Sequence, residues 1–308
     1  MSKGKRINWR LWSGMILTAF LFFVAIFGPA MAPYDDDYEE KIVYVQTDQG
    51  SELKAAPFPP SSKHWFGTDK YGHDLLTLLL HGAKYTVFTA IIVALGRLII
   101  GGAAGFFGGM HRAEKVKGKN QFGVLGAFPA FLIVYFVMLG MNINSSLSPW
   151  QLTVFQAALM TAVGIPGVYS VIQSKTIELR KKLFVTAASS LGGGTSHLIW
   201  KHLFPHLKGN LIALFVNEII ATLALIGQLG IFNLFLGGTI KQFVPVIYFS
   251  KTHEWAGLVG QMRGFVFNAQ WILFFPLCAF ILAILSFYLL SRGLELRERA
   301  AMHKFPHI

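Results

Sequence analysis

Four side chains in one short run could bind a metal ion: His64, Asp69, His73 and Asp74, in HWFGTDKYGHDLL (His64–Leu76). Imidazole and carboxylate suit Zn²⁺ or Ni²⁺. A simpler chemistry accounts for the aspartates. Gly67-Thr68-Asp69 can form a capped turn in which the Asp side chain accepts backbone N–H bonds and sets the start of a helix. No thiolate is near, because the single cysteine, Cys278, sits in an apolar run far along the chain. No metal site is therefore expected. Arg97 and Glu218 are charges within otherwise apolar stretches. A charge in hydrocarbon is costly and normally faces a partner or a water-filled path. They are expected to face the bundle interior, paired with each other or with a neighbouring subunit, in a structural or a gating role. Covalent chemistry lacks its parts. The apolar stretches hold no Ser/His pair, no paired aspartates and no zinc motif, and no G-x-x-x-x-G-K-[ST] loop is present. No catalytic residue and no cofactor of this chain's own are expected.

The elements that must position these groups are apolar helices. Of the 308 residues 54% are hydrophobic and 14% charged, against about 25% charged in soluble domains. Six stretches are long enough to cross about 30 Å of hydrocarbon. They are Leu11–Ala32, Tyr85–Met110, Gln121–Ile143, Trp150–Ile172, Leu207–Phe235 and Trp271–Leu290. The first ends in Ala30-Met31-Ala32, which mimics a leader cleavage site, but its full-span length and Pro33 favour retention. Trp12, Trp150 and Trp271 stand at span ends, where indole favours the interface. Gly101, Gly105 and Gly109 form a small-residue stripe for close helix packing, and Pro129, Pro166 and Pro276 are expected to kink their helices. Arg97 and Glu218 lie at similar depth, roughly 16–20 Å from the cytosolic ends of their spans.

With both termini cytosolic, 18 of the 27 Lys and Arg face inward, and ten of the fifteen acids face outward. The inward set includes Lys3, Lys5, Arg6, Arg10, Arg112, Lys115, Lys117, Lys119 and Lys304. The net charge of +12 is thus a topology signal rather than a nucleic-acid footprint. The resulting organisation is an N-terminus and first span (1–32), an external loop (33–84) carrying a short helix, and a five-helix core (85–308). The core holds a cytosolic loop near 173–206 and a cytosolic C-terminal tail. A second external segment, Gly237–Gln270, is expected to include a helix that re-enters or lies on the membrane surface.

The cytosolic loop reads FVTAASSLGGGTSHLIWKHLFP, from Phe184 to Pro205. Ala187 and Ala188 permit close approach of another backbone, Gly192 supplies a helix stop and turn, and Leu198, Ile199, Leu203 and Phe204 give a second helix an apolar side. Pro205 marks the start of the next span. With His202, this spacing resembles the coupling loop of permease subunits in binding-protein-dependent ABC importers. Thr186 stands where that family usually has glutamate. The run from His64 resembles the oligopeptide, dipeptide and nickel branch of the same permeases. His64, Gly67, Thr68, Asp69, Gly72, Asp74, Gly82 and Ala83 match its pattern, while His73, Lys84 and Thr86 replace Arg, Arg and Ser. Glu254-Trp255, Trp271, Pro276 and Arg292-Gly293-Leu294 resemble the closing stretch.

The resemblance implies an all-α integral membrane protein of six transmembrane helices with the type I ABC importer permease fold, in a bacterial plasma membrane. It implies a second homologous permease, two ABC ATPase subunits that bind ATP and Mg, and an extracellular solute-binding protein. Phe184, Thr186, Ala187, Ala188, Gly192, His202 and Pro205 would then meet an ATPase. The His64–Asp74 turn would position the second span or touch substrate. A self-sufficient channel or secondary transporter using Arg97 and Glu218 is the alternative, and an exporter of the same architecture stays open. Peptides lead among substrates, with nickel chelates sharing the signatures.

Overall fold

The computed structural model describes residues 8–47, 50–111 and 128–302. In chain order its first half holds α1 (Trp9–Met31), strands β1 (Ile42–Thr47) and β2 (Gly50–Ala55), α2 (Leu75–His111), α3 (Ala130–Asn142) and α4 (Pro149–Arg180). The second half holds α5 (Leu183–Ser190), α6 (Thr195–Leu198), a π-helical turn (Ile199–Leu203), α7 (Phe204–Ile231), β3 (Thr239–Phe243), β4 (Val246–Ser250), α8 (Trp255–Met262) and α9 (Gln270–Met302). Among the described residues five helical runs are long and apolar enough to cross a membrane: α1, α2, α4, the continuous run Thr195–Ile231, and α9. The chain is a multi-pass membrane protein.

The third expected span appears only as α3, whose 13 residues reach about 20 Å. The rest of its expected range, from Gln121 to residue 127, lies outside the described residues. So do Lys3, Lys5, Arg6, Arg112, Lys115, Lys117, Lys119 and Lys304. Pro129 occupies the N-cap of α3, so it starts a helix instead of kinking one. Pro166 and Pro276 are inside helices. α2 begins at Leu75, ten residues before its expected start, and α4 and α9 outrun theirs. A helix need not stop where hydrocarbon stops, and α2 at 37 residues measures about 55 Å.

α2 is the central post, packed against α1, α4, α7, α8 and α9. The glycine stripe lies on α4: Gly101 faces Val168, Gly105 faces Ile172 and Gly109 faces Thr176. Each lets the backbones approach where a larger residue would hold them apart. α1 is fixed at its start by Asn8. Its Nδ2 donates to the Gly293 carbonyl at 2.7 Å, and its side-chain oxygen accepts from the Leu11 N–H. α4 opens with a full capping box between Ser148 and Gln151, followed by Pro149.

One expectation about the connecting segments is corrected and another is narrowed. The segment after α1 carries an antiparallel hairpin, β1 with β2, and among its described residues no helix before α2. The β-branched and aromatic run Ile42-Val43-Tyr44-Val45 favours a pleated strand. The segment after α7 folds as a second hairpin, β3 with β4, followed by α8. Six of the eight residues of α8 are buried, so of the two expected placements it takes the inserted one, between α2, α7 and α9. Gly82 makes this possible, since a side chain there would overlap the His253 carbonyl. Trp271, the second residue of α9, is half-buried, and its Nε1 donates to the Thr68 carbonyl at 3.3 Å.

Candidate functional site

The residues singled out by sequence fall into three groups along the bundle. At one end, α5 closes with a Schellman motif. Gly192 takes φ +87°, Gly193 N–H donates to the Ala188 carbonyl at 3.1 Å, and Gly192 N–H donates to the Ser189 carbonyl at 3.0 Å. Val185 is the anchor of α5, buried with Phe106, Ile172, Ile199, Leu203 and Leu207. The Phe184 ring stacks on His206 at 4.5 Å and lies 6.5 Å from the His202 ring. Thr186 bonds only its own helix, through the Lys182 carbonyl. Ala187 is exposed, Ala188 half-buried, and Pro205 is the exposed second residue of α7. The helix therefore runs through the π turn into α7 with no break at Pro205.

Two residues of this end escaped the sequence reading. Leu183 and Leu191 are 88% and 89% exposed, the barest leucines among the described residues. With Ala187 they repeat at i, i+4 and i+8, the spacing of one helix face. That periodicity was available in the sequence, but nothing in it told a buried face from a bare one.

At the opposite end, the Gly67–Asp74 turn is a clasp. Asp69 accepts from the backbone N–H of Tyr71 at 2.8 Å and of His73 at 3.0 Å. Asp74 caps α2 by accepting from Thr77 N–H and Thr77 Oγ1, each at 2.9 Å. Thr68 Oγ1 accepts from Phe58 N–H at 2.8 Å. Gly67 and Gly72 take φ +75° and +91°, which favours glycine. His64 is buried between two carboxylates: Nδ1 is 2.9 Å from Asp74, and Nε2 is 2.9 Å from Glu40. Lys63 also pairs with Glu40. The turn thus fastens the chain leaving α1 to the start of α2. Sequence reasoning missed Glu40 because it lies 24 residues from His64 and belongs to no local pattern. No group of three or more His, Cys, Asp or Glu among the described residues is arranged to hold a metal ion.

His73 bridges the clasp to a cavity of about 630 Å³ lined also by Tyr71, Phe249, Lys251 and His253. Burial opposes the His73 imidazolium, but the hydrogen bond and charge of Asp69, with Glu39, outweigh it and raise its pKa. Beside this cavity Glu254 is fully buried at the N-cap of α8, accepting from Ala256 N–H at 2.8 Å. Desolvation pushes its carboxyl up to about 7, against the smaller opposing pull of the Gly257, Leu236 and Ala256 amides. Between the ordinary value of 4.5 and about 7 the folded chain keeps a proton that the unfolded chain has released, so stability falls as pH rises through that window. The apparent melting temperature in detergent should therefore drop more steeply over this range for the parent than for Glu254→Gln. Parallel curves would show that Glu254 ionises freely. The difference between the two proteins is the readout, since His73 contributes a fall of the same sign.

In the middle of the bundle Arg97 meets Glu218. Nη1 donates to Glu218 Oε2 at 2.9 Å, while Nε and Nη2 donate to the Met160 carbonyl at 3.1 and 2.8 Å. Gly164 leaves the room, since a Cβ there would overlap the guanidinium. The pair ties α2, α4 and α7 at one level.

The family model for the inner membrane component of binding-protein-dependent transport systems matches residues 122–300, more than half of the chain. Among curated proteins, the chain is 24% identical over 285 residues to the dipeptide transport system permease protein DppC of Alkalihalophilus pseudofirmus, covering 92% of this chain and 83% of that one. It is 28% identical over 289 residues to the oligopeptide transport system permease protein OppC of Bacillus subtilis, covering 92% and 82%. A probable D,D-dipeptide transport system permease protein, DdpC of Escherichia coli, is 25% identical over 281 residues, covering 91% and 84%.

Proposed function

Because the chain belongs to the inner membrane components of binding-protein-dependent transport systems, in which it is a permease subunit of an ABC importer with the type I fold, we propose that it carries peptides. The relatives named for dipeptide, oligopeptide and D,D-dipeptide transport support that substrate class. The chain forms half of a path, and a second homologous permease forms the other half. Two ABC ATPases bind ATP and Mg on the cytosolic side, and an external solute-binding protein delivers the peptide at the end that carries the two hairpins. Both termini and α5 face the cytosol, in keeping with the inward bias of Lys and Arg.

One observation carries the coupling role. α5 is rooted through Val185 yet leaves Leu183, Ala187 and Leu191 bare. A short helix anchored on one side and apolar on the other is suited to a cleft on another subunit. Closure of the ATPases on ATP would push α5 and, through the π turn, tilt α7 to open the outer side. Arg97 is only 4% exposed and satisfied by Glu218 and Met160, which gives an independent ion path through this pair no support.

The test is peptide uptake. Cells lacking this chain and requiring an amino acid should fail to grow when it is supplied as a di- or tripeptide, and grow when it is supplied free. The tagged chain should co-purify with a second permease, ATPases and a binding protein. Normal peptide growth, together with recovery of the chain alone, would overturn the proposal.

A further inference from the structure

A groove of about 590 Å³ runs between α2 and the π turn with α7. Its lining includes Gly102, Ala103, Phe106 and Phe215, with Trp200 and Lys208 toward the α5 end. Among the described residues Lys208 is its sole charged lining residue. Trp200 is 63% exposed, and Ile99, Phe107 and Ile212 along the open flank are also bare. Lys208 forms no ion pair among the described residues.

We propose that this groove binds one anionic phospholipid, with an acyl chain along α2 and the phosphate on Lys208. Three observations select this occupant. The groove spans Leu95 to Phe107 on α2, about 18 Å, which is close to one leaflet of a hydrocarbon core of about 30 Å. Its lining is apolar apart from Lys208, with four phenylalanines beside the small Gly102 and Ala103, which suits a methylene chain. Lys208, its one cation among the described residues, lines the α5 end of the groove, and an indole, Trp200, follows about two helical turns further toward that end, groups that meet headgroups at an interface. A lipid seated here also braces the π turn, because Ile199 and Trp200 line the groove. The binding step does not depend on the import reading, so the two can fail separately.

The test uses the whole transporter in vesicles doped with brominated phosphatidylglycerol or, at equal mole fraction, brominated phosphatidylcholine. Fluorescence quenching of the parent minus that of Trp200→Phe isolates this indole. Trp200 is exposed, so this substitution leaves the core untouched, and Trp200→Tyr serves as a second reference. The anionic lipid should quench Trp200 at about fivefold lower mole fraction, the effect of one lysine near a membrane surface. Lys208→Gln should bring the two lipids level, and Lys208→Arg should keep the preference. Equal quenching in the parent, or a preference that survives Lys208→Gln, overturns the anionic site. Quenching by neither lipid overturns lipid occupancy altogether and leaves the groove covered by another protein surface.

Discussion

Arg97→Gln is expected to cost the protein several kcal/mol of stability and most of its abundance in the membrane. The substitution would leave the half-buried Glu218 without its cation and the Met160 carbonyl without two of its donors. Breaking a buried pair from one side costs about 3–5 kcal/mol, a large share of a typical total of about 5–15 kcal/mol. Glu218→Gln should cost less than Arg97→Gln, because the guanidinium keeps its bonds to Met160. The double variant Arg97→Met, Glu218→Gln should recover much of the loss, since removing both charges removes the unpaired one. Gly164→Ala should resemble Arg97→Gln, because the added methyl takes the guanidinium's place. Charge reversal at both positions should rescue only in part: a glutamate at position 97 has nothing to donate to Met160. The measurement is thermal unfolding in mild detergent, alongside membrane abundance. Single variants as stable as the parent would remove the structural role, and if they also lost uptake, the pair would belong to the path.

The depth of that pair was legible in the chain. Counting from Met110 and Leu207 placed both charges at one level, because rise per residue is fixed in a helix. That α2 and α7 are neighbours, and that Gly164 on α4 provides the space, required the tertiary packing. The same division holds elsewhere. Asp69 and Asp74 were readable as a turn and a cap from residues in one short run, whereas the Glu40–His64 bond joins segments on either side of a hairpin. The hairpins themselves were hidden by polarity. The residues at 33–84 read as a loop because acids and prolines surround a strand run of only a few residues, and the mixed composition of Gly237–Gln270 left re-entry and a surface position equally open for its helix. Gly260 is where α8 is pressed against the Gly230 carbonyl of α7, and Gly257 leaves room for the capping Glu254 carboxylate and for Ser250. Small residues lower the apparent hydrophobicity of a helix just where it packs most tightly.

The bare face of α5 leads to the second large effect. Leu183→Asp, Ala187→Asp and Leu191→Asp should each lower peptide uptake by about 30-fold or more, the rate equivalent of losing a contact worth about 2 kcal/mol at the centre of an interface. The permease itself should melt as the parent does, because all three side chains face away from the fold. Val185→Asp should behave differently: it is buried against Ile199, Leu203 and Leu207, so its loss would appear first as instability. Comparing the two classes separates docking from folding. The ATPases should also dissociate from the aspartate variants during purification, and their ATP hydrolysis should lose its response to peptide-loaded binding protein. Thr186→Glu adds a further constraint. The hydroxyl at this position bonds only the Lys182 carbonyl of its own helix, so a carboxylate there is free to reach outward. If the cleft on the ATPase offers a cation, this variant binds as tightly as the parent or tighter. If the cleft is matched to an uncharged helix, it joins the aspartate variants. Uptake unchanged in all three aspartate variants would show that α5 does not transmit the motion, and the coupling role would have to move to another surface of the same end.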